Sequence, residues 1–213
     1  MINIINTKKN TSGILYKIVP EKNPLKYLED KDYKVAVIGS SPVLLNNKYG
    51  KFIDSHDIII RFNYVPTKKY EEFVGSKTSI RIMGRYWLPT DELYNNEIVI
   101  HRYNSSLYLK KDYKNLNLLK KYNVISFHND FLKFIRKKYN IPGTPTSGFM
   151  GIAFAIYLFN KISILGFNPP KKDGDKYHYW NDNKKFISKS HPFDFEYNLI
   201  KKISQEHKLI MYD

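Results

Sequence analysis

Short apolar runs alternate with polar, small-residue loops along this chain, and the runs come in two lengths. Val35-Ala36-Val37-Ile38 is rich in β-branched residues and is halted by Gly39-Ser40-Ser41-Pro42. That pattern predicts a buried strand ending in a tight loop. Val35 to Met83 as a whole reads as strand, loop, helix, strand, loop and strand, with the strands over about 34–38, 57–62 and 78–83. Glu97-Ile98-Val99-Ile100, Val124-Ile125-Ser126-Phe127, Lys161-Ile162-Ser163-Ile164-Leu165 and Leu209-Ile210-Met211-Tyr212 extend the series. Longer patterns between them predict helices. Phe131, Leu132 and Ile135 share one face of a helix over 131–138, with Asn129-Asp130 as its cap. Phe149 to Phe159 is apolar on all sides, which predicts a helix buried in the core. Phe195, Leu199 and Ile203 recur at helical spacing, and residues 104–121 predict an exposed helix or lid. Strands alternating with helices imply an α/β fold. The expectation is one Rossmann-like domain over 1–213, its mostly parallel sheet flanked by helices, with 1–30 as an N-terminal extension and 33–206 as the core.

Composition narrows the partners. A formal charge of +15 points to an anion: nucleic acid, a nucleotide or an acidic membrane surface. Lys, Asn, Ile and Tyr are all abundant, so most of that charge reads as solvated surface with a local anion site inside it. The absence of cysteine excludes disulfides and thiolate metal sites and suits a reducing compartment. Residues 1–30 lack a signal-peptide pattern, and no apolar run reaches the roughly 18 residues needed to span a bilayer. A cytoplasmic protein is expected, at most resting on the inner face of an anionic membrane. Gly39 lacks the further glycines of a dinucleotide fingerprint, and neither a Gly-x-x-x-x-Gly-Lys loop nor a carboxylate pair for glycoside hydrolysis is present.

Candidate chemistry lies in the loops. Thr146-Ser147-Gly148 leads into the buried helix, where unpaired N–H groups and the helix dipole favour a phosphate or carboxylate. Ordinary capping by Thr146 or Ser147 is the alternative. His101, His128 and His207 read as surface or core histidines, and His56, next to Asp54 and Asp57, reads as a loop anchor. Arg61 is expected to pair with a phosphate or with Asp54 or Asp57. Asp173-Gly174-Asp175 matches a metal-binding Asp-x-Asp, but its Lys- and Gly-rich setting reads as a surface turn.

Four blocks in order carry a resemblance. Val35 to Met83, with Gly39-Ser40-Ser41, Arg61-Phe62-Asn63 and Val74-Gly75-Ser76-Lys77-Thr78, resembles the large sialyl motif of glycosyltransferase family 29, the sialyltransferases. Pro145 to Gly148, the apolar helix and Ile164-Leu165-Gly166-Phe167 resemble the small motif. Tyr177-His178-Tyr179-Trp180 resembles the third motif, and His191 to Glu196 fits the very small motif, His-x-x-x-x-Glu. The bacterial sialyltransferases of family 42 share a looser version of this layout, so a compact bacterial or viral-type member is expected. The resemblance implies a variant GT-A fold and an inverting, metal-independent transfer of sialic acid from CMP-sialic acid to a glycan hydroxyl. It implies His191 as general base and His178 as the group that steadies the leaving phosphate, roles that suit an imidazole. It assigns the donor to Gly39, Ser40, Asn63, Thr146, Ser147, Gly148, Gly166 and Phe167, with the turn Thr146-Ser147-Gly148 implied to hold the nucleotide and the carboxylate of the donor sugar, and with Glu196 and Tyr179 in support. Ser40 stands where many relatives carry Asn, and Val35 and Phe159 stand where animal members carry a disulfide. Another CMP-activated acidic sugar, such as CMP-Kdo, remains an alternative donor. The acceptor is expected to be an oligosaccharide, glycolipid or lipooligosaccharide. A basic nucleic-acid-binding module is the alternative from another class, and the family reading expects no nucleic acid.

Overall fold

The computed structural model describes residues 2–7, 9, 20–28, 32–84, 97–102, 125–170, 175–180, 192–206 and 209–212. Its strands are β1 (Lys34–Ile38), β2 (Ile58–Phe62), β3 (Ile80–Met83), β4 (Ile98–His101), β5 (Ile125–Ser126), β6 (Lys161–Leu165) and β7 (Leu209–Tyr212). They form one sheet in the order β5-β4-β3-β2-β1-β6-β7, and every described pairing is parallel. The helices are α1 (Gly50–Asp54), α2 (Glu71–Val74), α3 (Asn129–Tyr139), α4 (Ser147–Leu158) and α5 (Phe193–Glu206).

Both faces of the central strands are covered, which explains their unbroken apolar runs. Val35, Val37, Ile58, Ile60, Ile162 and Ile164 face a large core shared with α4. Ala36, Ile38, Ile59 and Leu165 face a smaller one with Leu44, Ile53 and Tyr179. Val35 and Phe159 both lie in the large core, so apolar packing occupies the two positions where the resemblance implies a lost disulfide. Residues of the expected N-terminal extension join the same core: Ile4, Ile5, Leu25 and Leu28 are buried in it. Ile5 bridges Phe127 in antiparallel fashion, and the Asn6 amide donates to Ser126 Oγ at 2.8 Å and to Phe127 O at 2.9 Å. The segment thereby covers the β5 edge, where unpaired backbone would otherwise face solvent.

Two local expectations are corrected. The α3 cap is His128, whose Nδ1 accepts from the Asp130 N–H at 3.1 Å, so Asn129 and Asp130 already belong to the helix. On α5 the buried stripe is Glu196, Ile200 and Ile203, while Phe195 is 39% exposed. Ile203 is buried as its spacing suggests and Leu199 packs against the core, while at the start of the helix Glu196 replaces Phe195 on the inner face, where its carboxylate has a partner described below. Among the described residues, no helix is long and apolar enough to cross a membrane. The segment 104–121 lies outside the described residues.

Candidate active site

Strand order runs one way from β1 to β5 and the other way through β6 and β7. The reversal lies between β1 and β6, and open α/β sheets bind ligands beyond the carboxyl ends of such strands. Gly39 and Gly166 face each other there. The Gly39 N–H donates to Leu165 O at 2.8 Å and the Ser41 N–H to Gly166 O at 3.0 Å. A Cβ on Gly39 would sit 2.1 Å from Gly166 O, so only glycine permits this approach. Gly166 itself has φ +74°, a left-handed conformation that glycine adopts freely. The Phe167 ring lies between Gly39 and Gly148, since added Cβ atoms would come within 3.2 and 2.9 Å of it. It meets Phe62 edge-on at 6.0 Å. Gly39, Gly148, Gly166 and Phe167 thus shape the floor of the crevice.

Ser40 and His178, distant in sequence, meet at the rim of that floor. The bond between Ser40 Oγ and His178 Nδ1 is 2.8 Å long, and the Tyr179 N–H donates to Ser40 O at 3.0 Å. The His178 ring stacks on Trp180 at 4.5 Å and 9° and meets Tyr177 edge-on. Burial pushes the His178 imidazole down to about 4, so it is neutral near pH 7. A serine hydroxyl can donate to Nδ1 or accept from it, so this bond suits either tautomer of the neutral ring, and the tautomer protonated at Nε2 presents that nitrogen as a donor. Tyr179 is buried and its hydroxyl donates to Pro66 O, which anchors this segment to the loop after β2. Burial pushes the Tyr177 and Tyr179 phenols up, and the Glu196 charge adds to the effect on Tyr177.

Asn63 follows β2 directly and has φ +47°, a region that Asn tolerates better than other non-glycine residues. Three bonds hold it there. Its N–H donates to Ile82 O at 3.1 Å, its backbone O accepts from Arg81 Nη1 at 2.7 Å, and its Oδ1 accepts from the Gly84 N–H at 2.7 Å. The last bond fixes the amide orientation and leaves the NH2 group available to a ligand.

At the α4 N-terminus the three residues singled out by sequence divide their roles. Thr146 Oγ1 accepts from the Phe149 N–H at 3.0 Å and donates to Glu196 Oε2 at 2.6 Å. The Thr146 N–H donates to Glu196 Oε1 at 2.7 Å. Both donors of Thr146 are therefore taken, and it caps the helix instead of facing a ligand. Thr146 O accepts from the Met150 N–H at 3.1 Å. The Ser147 and Gly148 N–H groups are left without a partner among the described residues. Burial raises the Glu196 carboxyl above its ordinary range, against the opposing pull of Thr146 and Arg102.

Arg102, which no motif singled out, follows β4 and donates from Nη1 to Ser147 Oγ at 3.3 Å. Its guanidinium is pushed down by burial, with Glu196 opposing. Only the structure brings Arg102 to Ser147, because 45 residues separate them.

Other candidates lie elsewhere. Arg61 is fully buried and donates to Val74 O at 2.6 Å and Lys77 O at 3.0 Å. Among the described residues it bonds to neither Asp54 nor Asp57, and its burial keeps it from a phosphate. Asp54 instead accepts from Ser76 and Lys77, and Asp57 accepts from the Lys34 N–H. His56 does anchor its loop, with Nδ1 donating to Phe52 O at 2.9 Å and Nε2 accepting from Ser163 Oγ at 2.9 Å. His101 is buried on β4. His191, His207, Asp173 and Gly174 lie outside the described residues. Among the described residues no three His, Asp or Glu side chains are grouped to hold a metal ion.

The family model for glycosyltransferase family 29 (sialyltransferase) matches residues 2–208. The chain is 30% identical over 202 residues to Homo sapiens beta-galactoside alpha-2,6-sialyltransferase 1, covering 81% of this chain and 50% of that one. It is 28% identical over 229 residues to Gallus gallus CMP-N-acetylneuraminate-beta-galactosamide-alpha-2,3-sialyltransferase 1, covering 97% and 65%. The chain spans about half the length of the first of these curated relatives. A mammalian sialyltransferase crystal structure matches with a TM-score of 0.77 at 22% identity, over 99% of this chain and 90% of that one. The Campylobacter jejuni sialyltransferase CstII, solved with the substrate analogue CMP-3FNeuAc, matches with a TM-score of 0.50 at 17% identity, over 84% and 81%. The fold is shared with both.

Proposed function

The chain belongs to glycosyltransferase family 29, the sialyltransferases, and on that footing we propose that it transfers sialic acid from CMP-sialic acid to a glycan hydroxyl. The acceptor oxygen attacks the anomeric carbon of the donor while His191 takes the hydroxyl proton. The bond from that carbon to the phosphate oxygen breaks with its electron pair, CMP departs and the configuration inverts. The supporting observation is the 2.8 Å bond between Ser40 and His178 at the crevice rim, beside a helix N-terminus with two open N–H groups. That arrangement offers neutral, preorganised donors to an oxygen that gains negative charge, which is where electrostatic stabilisation acts most strongly. Asn63 offers its NH2 to the cytidine part of the donor. His191 stands in the His-x-x-x-x-Glu spacing ahead of Glu196, and Glu196 ties the start of α5 to the α4 cap. The leaving group is a nucleoside monophosphate, so these donors and His178 take the place of a divalent cation. The acceptor class is a β-galactoside or related glycan, after the curated relatives. The enzyme works in the cytoplasm or against the inner face of an anionic membrane, with which its basic surface is compatible.

The test is incubation with CMP-sialic acid and, separately, with CMP-Kdo, over a panel of acceptors led by β-galactosides, with and without EDTA. Acceptor-dependent CMP release from CMP-sialic acid that survives EDTA is expected. His191→Ala should lower transfer by roughly 10²–10⁴-fold while CMP still binds. Release from CMP-Kdo alone would move the donor assignment to that sugar. No release from either donor, even by slow hydrolysis, would overturn the proposal. Salt-sensitive oligonucleotide binding without CMP binding would favour a nucleic-acid module.

A further inference from the structure

We propose that Arg81, gripped by Glu97, is a positioning residue for the donor nucleotide: it captures the Asn63 carbonyl and so holds the Asn63 amide with its NH2 offered to a ligand. The inference rests on the nucleotide role proposed for Asn63 above and deepens it.

Two hydrogen bonds exchanged at the end of the β2–β3 ladder carry it. The strands pair in parallel, with Arg61 opposite Arg81 and Phe62 opposite Ile82. One step further, a regular parallel ladder would run a bond from the Asn63 N–H to Ile82 O and return one from the Gly84 N–H to Asn63 O. The first is present at 3.1 Å. The Gly84 N–H goes instead to the side-chain oxygen, Asn63 Oδ1, at 2.7 Å. The backbone carbonyl of Asn63 goes to Arg81 Nη1, also at 2.7 Å. The left-handed φ of +47° at Asn63 accompanies this exchange. The amide thus stands in for its own carbonyl in the ladder. With Oδ1 committed, the NH2 is the end that can meet a ligand.

The guanidinium of Arg81 ties three strands together. Nε and Nη2 form a fork on Glu97, at 2.6 Å to Oε2 and 2.8 Å to Oε1, just before β4. A fork fixes the plane of the group, which sets the direction of Nη1 toward Asn63. The Arg81 and Glu97 side chains are 3% and 10% exposed. Arg61 lies opposite Arg81, so two buried guanidinium groups occupy adjacent strands. Burial pushes Arg61 down to about 10, and the Arg81 charge adds to the effect. An ion pair buried in this way is a weak stabiliser of a strand, and apolar residues of similar volume often serve as well or better. Apolar residues cannot hold a carbonyl outside the ladder. Without Arg81 the Asn63 carbonyl would return to the Gly84 N–H, residue 63 would relax to extended backbone, and the amide would be released.

Calorimetric titration with CMP tests the inference, with a thermal midpoint for each protein. The proteins are wild type, Arg81→Met/Glu97→Leu, Arg81→Lys and Asn63→Ala, and each Arg81 variant combined with Asn63→Ala. The apolar pair should keep a midpoint within a few degrees of wild type, yet bind CMP roughly 3–15-fold more weakly, the worth of about one hydrogen bond. Asn63→Ala should lose at least as much, and in that background the apolar pair should cost less than about twofold more. Arg81→Lys keeps the charge and loses the fork, so it should bind CMP between wild type and the apolar pair. If the apolar pair does not fold, Arg81→Lys carries the same cycle against Asn63→Ala. Equal losses in both backgrounds would mean that Arg81 acts without Asn63. Wild-type affinity in the apolar pair, whatever its midpoint, would make Arg81 purely structural. Each result overturns the inference, as does an unchanged affinity in Asn63→Ala, while CMP binding by the wild type leaves the proposed function standing. A wild type that does not bind CMP overturns the proposed function, and the inference falls with it.

Discussion

Glu196 gives both of its oxygens to one residue, and what it holds is the cap of the helix on which the proposed donor site depends. Replacing it with Ala would leave the Thr146 N–H and O–H unpartnered near the core. Charge-assisted bonds favour the carboxylate and its burial opposes it, so the net expectation is a loss of about 1–3 kcal/mol in urea unfolding. Titration separates this group from His178. Burial raises Glu196, so the folded chain keeps that proton to higher pH than the unfolded one. Its contribution is full below the unfolded value and is lost as pH rises through the folded one. His178 works in the opposite sense, about 4 when folded against an ordinary 6.5. Its contribution is present above 6.5 and is lost as pH falls toward 4. His178→Gln should therefore flatten the loss of stability across that range, by up to about 2 kcal/mol after allowance for solvent reaching the ring. Unfolding midpoints at stepped pH check it, and an unchanged slope would remove His178 as the titrating group. At this scale the motifs named Ser40, His178, Ser147 and Glu196, which the structure brings to one edge. They did not separate Thr146 as a cap from Ser147 as a ligand candidate, because both suit a helix start. They could not name Arg102, a single arginine after a strand, since only the pairing of β4 with β3 brings it near α4.

α4 joins the large core to the crevice. It is apolar on all sides from Phe149 to Ala155 and buried throughout that stretch, and it packs against β1, β2, β3 and β6. Gly151 sits at its centre, where Ala would ordinarily favour the helix by about 1 kcal/mol. Here a Cβ would lie 2.4 Å from the Phe62 ring. Phe62 meets Phe167 edge-on, and Phe167 fills the space between Gly39 and Gly148. Overpacking of about 1–3 kcal/mol should outweigh the helical gain. Gly151→Ala is accordingly expected to lower thermal stability and to weaken CMP binding several-fold, although residue 151 lies within the core. Improved stability would mean that Phe62 moves aside without cost. The central strands were legible because a strand buried on both faces needs an unbroken β-branched run. The four-residue α2 was not, since so short a helix leaves too few residues for a period to show. The helical spacing on α5 held at Leu199 and Ile203 but not at Phe195, for a different reason. Its pattern ranks Phe195 as core, yet the packing turns Glu196 inward to reach Thr146.

At the scale of the whole molecule, the carboxyl-end edge of the sheet is set within a chain of strong positive charge. All described strand pairs are parallel, so Gly39, Asn63, Arg102 and Gly166 emerge from carboxyl ends on the same side. The sheet reverses its order between β1 and β6. This much follows from alternating elements once β6 is known to pair with β1. The sequence pattern does not tell which strand lies beside which, because every central strand is a similar run of Ile and Val. The formal charge of +15 acts at longer range. It should draw a dianion such as CMP toward the protein and raise the association rate more than it slows release. Surface charges beyond a screening length of about 10 Å at 0.1 M salt contribute little, whereas a mostly buried group such as Arg102 keeps its effect. Raising NaCl from about 0.05 to 0.5 M should thus weaken CMP several-fold, chiefly through a slower on-rate in stopped flow. The added affinity of a CMP-sialic acid analogue that resists transfer, measured against CMP, should change much less if groups within the crevice hold the sugar, because salt screens buried groups less than exposed ones. If salt instead erased that difference, the carboxylate would be held by exposed lysines, and the positive surface would have to be counted as part of the site.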